Sequence, residues 1–416
     1  MPKFAHMSDI HIGAFRQEEL KEPLMKAFET AIDICMQKEV DFVIMAGDIF
    51  DSNIPDLQSV RRAASKVREA AQNGIRFYVV YGSHDFSPNY ASIVDVLESA
   101  GLFKKVEVAE KIDGRIHLKF IVDPSGAKLC GISGKRLSLD RFDYESLDSS
   151  ELTSEVGFKI FVFHGAIEEL KPSGLGEMEA MPADLLPEGF DYYAGGHVHN
   201  RSLTSLPGRP NIAYPGPLFG GDYRDLEPVA RGEKRGMYIV DFGKGVNRID
   251  FIPIEPCEIA EFSFDAGGMN PVEASRKLHE IANTWEVKDR IILLRVYGQL
   301  SGGRTTEVDI ATVKKELVGR GAKYVLVNSG QLMSRETMVV EVRRTKAETE
   351  AELFGKQITT VKVSEPSLKG EKGVKLSLDL LRSLREGRKE NETKGDYEDR
   401  ILKAGSGVLK LEVEQK

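Results

Sequence analysis

The chain has 416 residues, 41% hydrophobic and 29% charged, with a formal net charge of −8 at pH 7. That length carries two or three domains and a sizeable core, and the acidic balance argues against indiscriminate nucleic-acid binding. There is no signal-like opening and no run near the ~20 apolar residues of a membrane span. With Cys35, Cys130 and Cys257 scattered, neither a disulfide frame nor a thiolate zinc site is expected, but a cytoplasmic protein with reduced thiols.

The first predicted strand, 3–8, ends in Asp9-Ile10-His11. Leu24, Ala27, Phe28, Ala31, Ile32 and Cys35 then recur at helical spacing. A second apolar run, 41–46, ends in Gly47-Asp48-Ile49-Phe50-Asp51. Val60, Ala63, Ala64, Val67, Ala70 and Ala71 mark another amphipathic helix, closed by Asn73-Gly74. The run 75–81 leads into Gly82-Ser83-His84-Asp85, and after Asn89 a helix passes through Ile93, Val96 and Leu97 to Gly101. Strand, helix, strand, helix, strand is the order that builds a parallel sheet. Further on, 115–122, 127–132 and 236–242 are β-rich and predict a second sheet packed on the first. Within this half, 158–163 ends in His164-Gly165, and 190–194 ends in Gly195-Gly196-His197-Val198-His199.

Pro253 and Pro256 mark a junction. Strand, helix, strand, helix and strand follow at 259–264, 271–283, 290–297, 308–319 and 324–327, with a last strand at 338–342. This is a small α/β domain without a catalytic constellation. Beyond it, 369–373 reads as a polar linker and 387–395 as a charged, mobile stretch. Between them Val374, Leu378, Leu381 and Leu384 line one face of a short helix; Tyr397, Ile401 and Leu402 make a second, ended by Gly405-Ser406-Gly407. Such amphipathic pieces cannot bury their apolar faces alone and read as a partner-binding module, with a helix pair docked on its own core as the plainer reading. The expected boundaries are 1–255, 256–342 and 343–416.

Five strand ends on one sheet edge would gather Asp and His side chains from distant positions, the layout of a dinuclear metal site. Alone, Asp-x-His is usually a solvated loop pair, Gly-Asp is turn chemistry, and His-x-His on a strand shares a face without any metal. Together they are hard to explain separately, since five of the eight histidines lie in these motifs. Two divalent ions about 3.5–4 Å apart clamp the attacking and leaving oxygens of a phosphoester displacement. A mixed His and carboxylate set suits manganese, iron or zinc rather than calcium or magnesium. Basic pairs that could meet phosphates are Arg61-Arg62, Lys104-Lys105, Lys135-Arg136, Lys234-Arg235 and Arg343-Arg344, although solvated surface is the commoner role of such pairs.

As a set, these motifs resemble the calcineurin-like metallophosphoesterase superfamily and, within it, the SbcD/Mre-eleven family of double-strand-break repair nucleases. The form of Ala46 to Ser52 and the Tyr214-Pro215-Gly216 that follows the last histidine pair favour that branch. The resemblance implies a two-sheet α/β/β/α core, a small α/β cap beside the site that selects DNA, and a C-terminal helical region that binds an SMC-like ATPase. It implies that Asp9, His11, Asp48 and His199 hold one ion and that Asp48, Ser83, His164 and His197 hold the other, most readily manganese, with Asp48 bridging. His84 would stand near the scissile phosphate as acid or transition-state stabiliser, with Asp85 orienting it. DNA ends and single strands are the implied substrates, and a homodimer through helices of the first half is implied too.

Two departures stand out: Ser83 replaces the family's Asn, and Pro217 replaces the Ser that commonly follows Pro-Gly. Asp51 lies where members differ between Asp and His. A shorter hydroxyl at Ser83 predicts weaker occupancy of the second position. Two other readings remain: a phosphomonoesterase or protein phosphatase on the same core, and a non-catalytic scaffold, for which Ser83 is the only support.

Overall fold

The computed structural model describes residues 1–87, 91–135, 139–171, 179–334, 350–351, 353–355, 358, 368, 370–387, 389 and 394–409. The strand expected at 338–342 lies outside them, as do Asn89, Arg136, Arg343 and Arg344. The chain divides into two compact units. One holds Met1–Gly267, Pro271–Gly298 and Thr306–Leu332, so the small α/β domain belongs with the core. The other holds the remaining short segments and the C-terminal region from Met333.

Strands and helices alternate at first: β1 (Lys3–Met7), α1 (Glu18–Gln37), β2 (Phe42–Ala46), α2 (Leu57–Gln72), β3 (Arg76–Val80), α3 (Ile93–Ser99) and β4 (Lys104–Lys105). The β strands then dominate with β5 (Ala109–Ile112), β6 (Arg115–Leu118), β7 (Ile121–Val122) and β8 (Lys128–Ile132), before α4 (Arg141–Glu145) and α5 (Ser150–Ser154). Next come β9 (Lys159–His164), β10 (Tyr192–Gly196), β11 (Ser202–Leu206), β12 (Arg209–Tyr214), α6 (Tyr223–Ala230), β13 (Gly236–Phe242) and β14 (Val246–Pro253). The first sheet runs β14-β13-β1-β2-β3-β4 and the second β11-β12-β10-β9-β8-β7. The single strand expected at 115–122 is two: β6 pairs with β5, and β7 joins β8 in the second sheet.

Alternation along each strand assigns its side chains to layers. Ala5, Met7, Val43, Met45, Phe77 and Val79 face α1 and α2. Phe4, Phe42, Ile44, Tyr78 and Val80 face inward, against Leu129, Ile160, Val162, Tyr192 and Ala194 of the second sheet. Cys130, Ile132, Phe161, Phe163 and Tyr193 face outward under Tyr144 of α4 and Leu152 of α5. Both faces of both sheets are therefore covered, which explains the near-continuous apolar runs. The core has the expected α/β/β/α layering. The helices start and stop where the residues direct: Asp56 caps α2 by accepting from Ser59 N at 3.0 Å, and Ser92 with Asp95 forms a capping box on α3.

The small domain follows as β15 (Glu258–Asp265), α7 (Pro271–Ala282), β16 (Arg290–Gln299), α8 (Ile310–Gly319), β17 (Tyr324–Asn328) and β18 (Leu332–Met333). β15, β16 and β17 are parallel, and Trp285 stacks on Phe262 with centroids 4.3 Å apart.

In the C-terminal unit, α9 spans Gly370–Leu384 and α10 spans Lys394–Leu409. Two expectations fail here. Of the linker read at 369–373, residues 370–373 are the first turn of α9 and 369 lies outside the described residues, while Gly405-Ser406-Gly407 does not end α10. Gly405 is buried, and a Cβ there would lie 3.6 and 3.9 Å from Leu380 and Leu384 of α9, so packing between the helices overrides glycine's poor helix propensity.

Candidate metal centre

The C-terminal ends of β1, β2 and β3 in one sheet, and of β9 and β10 in the other, converge on one edge of the sandwich. The loops beyond β1 and β2 interlock through the main chain, and the loop beyond β3 is tied to them by the carboxylates of Asp85 and Asp48. Asp9 N donates to Gly47 O at 3.1 Å, His11 N to Asp48 O at 3.0 Å and Ile12 N to Ile49 O at 3.0 Å. Asp9, His11 and Asp48 have φ of 51°, 51° and 49°, and His197 has 84°. Non-glycine residues in this region are uncommon and persist where surrounding structure enforces them, typically at functional sites. Gly82 is required by contact: a Cβ there would strike the Asp48 carboxylate and backbone.

Three groups of possible ligand atoms lie within 4.8 Å of one another: Asp9, His11 and His199; His11, Asp48 and His84; and Asp9, Asp48 and His164. His11 Nε2 and His199 Nε2 are 3.4 Å apart, and His164 Nε2 is 3.3 Å from Asp48 Oδ2. His164 Nδ1 meets Ala46 O at 2.9 Å, which assigns the proton to Nδ1 and leaves Nε2 as a lone-pair donor. His197 N donates to Asp9 Oδ1 at 2.8 Å, and its ring lies 5.3 Å from that of His164. Ser83 lines one cavity with His164 and His197.

The electrostatics fit divalent ions. Burial opposes protonation of His11 and His164, yet Asp51, Asp48 and Asp9 outweigh it at His11, and Asp48 and Asp9 at His164, raising these groups to about 9 and about 10. His199 also rises against burial, through Asp225 and Asp9. Asp48 falls despite burial, through His164 and His11. His197 is lowered to about 4 by burial and by His164, which keeps it neutral. Two imidazole nitrogens facing each other at 3.4 Å beside carboxylates call for positive charge between them. A dication held between them would supply it. His164 Nε2 is buried against the Asp48 carboxylate at 3.3 Å without a well-formed hydrogen bond, which suits the same role.

His84 stands at the rim with its side chain 45% exposed. Its Nδ1 lies 2.7 Å from Asp51 O, and its own N–H donates to Asp48 Oδ1 at 2.8 Å. Asp85, expected to orient His84, has a different place. It is fully buried and accepts from Ile49 N (3.1 Å), Phe50 N (3.0 Å) and Gly82 N (3.0 Å), tying the second strand-end loop to the third. The orienting group for His84 is the Asp51 carbonyl, which no side-chain pattern can announce.

Asp225 and Arg235 serve the site in ways that no motif announces. Asp225 Oδ1 accepts from His199 Nδ1 at 2.6 Å, and Arg235 donates to the carbonyls of His199 and Asp225. An Asp in the first turn of a helix is ordinary for helix electrostatics, so Asp225 carries no distinguishing signal. The loop from Tyr214 to Asp222, where Pro217 departs from the family, backs this region. Tyr214 Oη donates to Gly165 O at 2.9 Å, and Gly216, at φ 69°, passes so close to His199 O that a Cβ would lie 2.5 Å from it. The basic pairs are mostly engaged: Arg62 with Glu22 and Glu29, Lys105 with Asp95 and Glu98, Lys135 with Asp143, and Lys234 with Glu255.

A two-sheet sandwich with interlocked Asp and His loops at one edge defines a metallophosphoesterase-type domain. Residues 2–201 match the calcineurin-like phosphoesterase family. The chain is similar to the DNA double-strand break repair protein Mre11 of Methanopyrus kandleri, with 25% identity over 61% of this chain and 57% of that protein. The Archaeoglobus fulgidus Mre11 is 25% identical over 65% of this chain and 63% of its own length. That of Sulfurisphaera tokodaii is 28% identical over 71% of this chain and 73% of its own. The chain thus matches less than two thirds of the length of the first two. Among the described residues, no helix is long and apolar enough to cross a membrane.

Proposed function

We propose that the chain is a manganese-dependent DNA nuclease of double-strand-break repair, an exonuclease on duplex ends that also cuts single strands endonucleolytically. The observation that carries this reading is the convergence of Asp9, His11, Asp48, His164 and His199 beside a half-exposed His84. The names of the similar proteins supply the substrate class. Two ions bound in such a ring polarise a phosphodiester and lower the pKa of a bound water.

In this reading Asp9, His11, Asp48 and His199 hold one ion, and Asp48, Ser83, His164 and His197 the other. With Nδ1 held by Asp51 O, His84 keeps Nε2 free at the rim to stabilise charge on the phosphoryl oxygens and pass a proton to the leaving sugar oxygen. Asp85 supports the site through the main chain rather than through His84. The core (1–255) does the chemistry, the small domain (256–342) serves as a cap that places DNA, and the region from 343 to 416 binds an SMC-like ATPase. The protein works in the cytoplasm as a homodimer.

The test is manganese-dependent cleavage of an end-labelled duplex, with His84→Gln alongside. The wild type should cut, and the variant should be slower by about 10²–10⁴-fold, the usual contribution of a positioned acid, with Mn2+ binding retained. A folded, Mn2+-loaded wild type that cuts no DNA, even with the ATPase present, would leave the scaffold reading.

A further inference from the structure

The eight-residue helix α6 touches two things at once. On one side Asp225 receives the His199 Nδ1 proton at 2.6 Å, while its other oxygen accepts from Gly221 N at 2.7 Å. Asp222 caps the helix by accepting from Arg224 N and Asp225 N, so the carboxylate that meets His199 sits on a pinned first turn. Arg235, itself 5% exposed, clamps the carbonyls of both His199 and Asp225.

Residues two apart on a helix point about 200° apart, and Glu227 accordingly faces away from Asp225. It pairs with Arg295 of β16. One turn on, Arg231 makes a two-pronged contact with Glu261 of β15 at 2.7 and 2.8 Å, and Arg295 Nε lies 3.9 Å from the same carboxylate. The side chains of Glu227, Glu261 and Arg295 are 15%, 13% and 28% exposed, so solvent screens the Arg295 pairs less than surface ones, whereas Arg231, 57% exposed, is screened more. Asp225, Glu227 and Arg231 are not among the groups that hold the metals or touch substrate in the proposed function.

We infer that Asp225 is a positioning residue that fixes the ring of His199, and that α6 couples this position to the small domain through Glu227, Arg231, Glu261 and Arg295. The inference rests on the reading of His199 as a metal ligand. A partner that fixes the other ring nitrogen of a metal-binding histidine sets its tautomer and orientation, and its loss typically weakens metal binding by about 10–100-fold. Because the helix is short and held at both faces, a shift of β15 and β16 would move Asp225 with it. The small domain thereby gains a physical route to the metal site that needs no residue of its own there.

The probe is Mn2+ alone, titrated calorimetrically into the full chain, with thermal melting of the metal-free protein as a check on folding. Wild type should bind two ions. Asp225→Asn, nearly isosteric, should weaken one of them by about 10-fold or more and leave the other within about twofold, with Asp225→Glu recovering part of the loss. Glu227→Gln, which touches no ligand, should weaken the same ion by roughly two- to thirtyfold, the range of mutations along a coupling path. Equal affinities in wild type and Asp225→Asn would overturn the positioning role, as would equal weakening of both ions, which marks general destabilisation. Weakening by Asp225→Asn but not by Glu227→Gln would overturn the coupling through α6. A wild type that binds no Mn2+ would overturn both the inference and the metal reading beneath it, an outcome separable from the others because it precedes any substitution.

Discussion

The two six-stranded sheets build their halves of the site by different means. The first sheet supplies Asp9, His11, Asp48 and His84 from loops sewn together by main-chain hydrogen bonds, with Asp85 as a buried anchor for three amides. The second supplies His164, His197 and His199 from strand ends, and two of these rings are set individually: His164 by Ala46 O and His199 by Asp225. In the first half geometry belongs to the backbone, so damage there should appear as lost stability. In the second half it belongs to the partner that holds each ring, a carbonyl for His164 and a carboxylate for His199, so damage should appear as lost ion affinity on a fold that survives. The small domain repeats the strand-helix-strand syntax, yet of the eight non-glycine residues with positive φ among those described it holds only Asp289. Four of the eight, Asp9, His11, Asp48 and His197, fall where ligands turn inward at strand ends.

The largest expected effect tests whether the sheets behave as one body. Phe4 is fully buried between them, stacked on Phe42 at 5.2 Å and edge-on to Tyr192 at 5.1 Å. Phe4→Ala should cost about 3–5 kcal/mol, read from urea unfolding. If unfolding remains a single transition, the halves of the site stand or fall together; two transitions would show that each sheet keeps its half independently. The next effect strikes the backbone-built half alone. Asp85→Asn replaces an oxygen facing an amide N–H with an NH₂ group, leaving a buried donor unpaired at about 1–3 kcal/mol. Unchanged urea stability would show that the first-sheet loops do not depend on their anchor.

Much of this was legible because strands covered on both faces must be apolar throughout, which sets the polar Asp9-x-His11, Gly47-Asp48, Ser83-His84-Asp85, His164 and His197-x-His199 apart as interruptions at strand ends. The parallel order of β1, β2 and β3 followed from the intervening helices. What sequence could not reveal depends on contacts between distant segments. Asp225 is an unremarkable first-turn acid until α6 lies against His199. The role of Asp85 depends on amides more than thirty residues away, those of Ile49 and Phe50. The Asp51 group that holds His84 is a carbonyl, and every residue has one. Gly405 reads as a breaker until α9 packs against it.

His6 tests the seam between the two halves. It projects from β1 toward the second sheet, with Nδ1 3.0 Å from Tyr192 Oη, and is fully buried with Nε2 unpartnered. Burial lowers its pKa from 6.5 to about 3, although a backbone contact with Gly195 pulls slightly the other way. The unfolded chain takes up this proton near 6.5 and the folded chain only near 3. Between those values the unfolded state binds more protons, so stability is highest above the unfolded pKa and falls as pH drops, by up to about 1.4 kcal/mol per pH unit from this group. Other groups titrate in the same window, so the quantity to measure is the difference between wild type and His6→Gln, which stays neutral at every pH. Wild type should lose stability faster on acidification, and the two curves should run parallel above neutral pH. Curves parallel throughout would mean that water reaches His6, and hence that the sheets do not close over it. A dry seam sharpens the contrast between the halves, because packed side chains and a few buried hydrogen bonds, those of His6 with Tyr192, His164 with Ala46 O and His197 N with Asp9, then join the backbone-built half to the partner-tuned one.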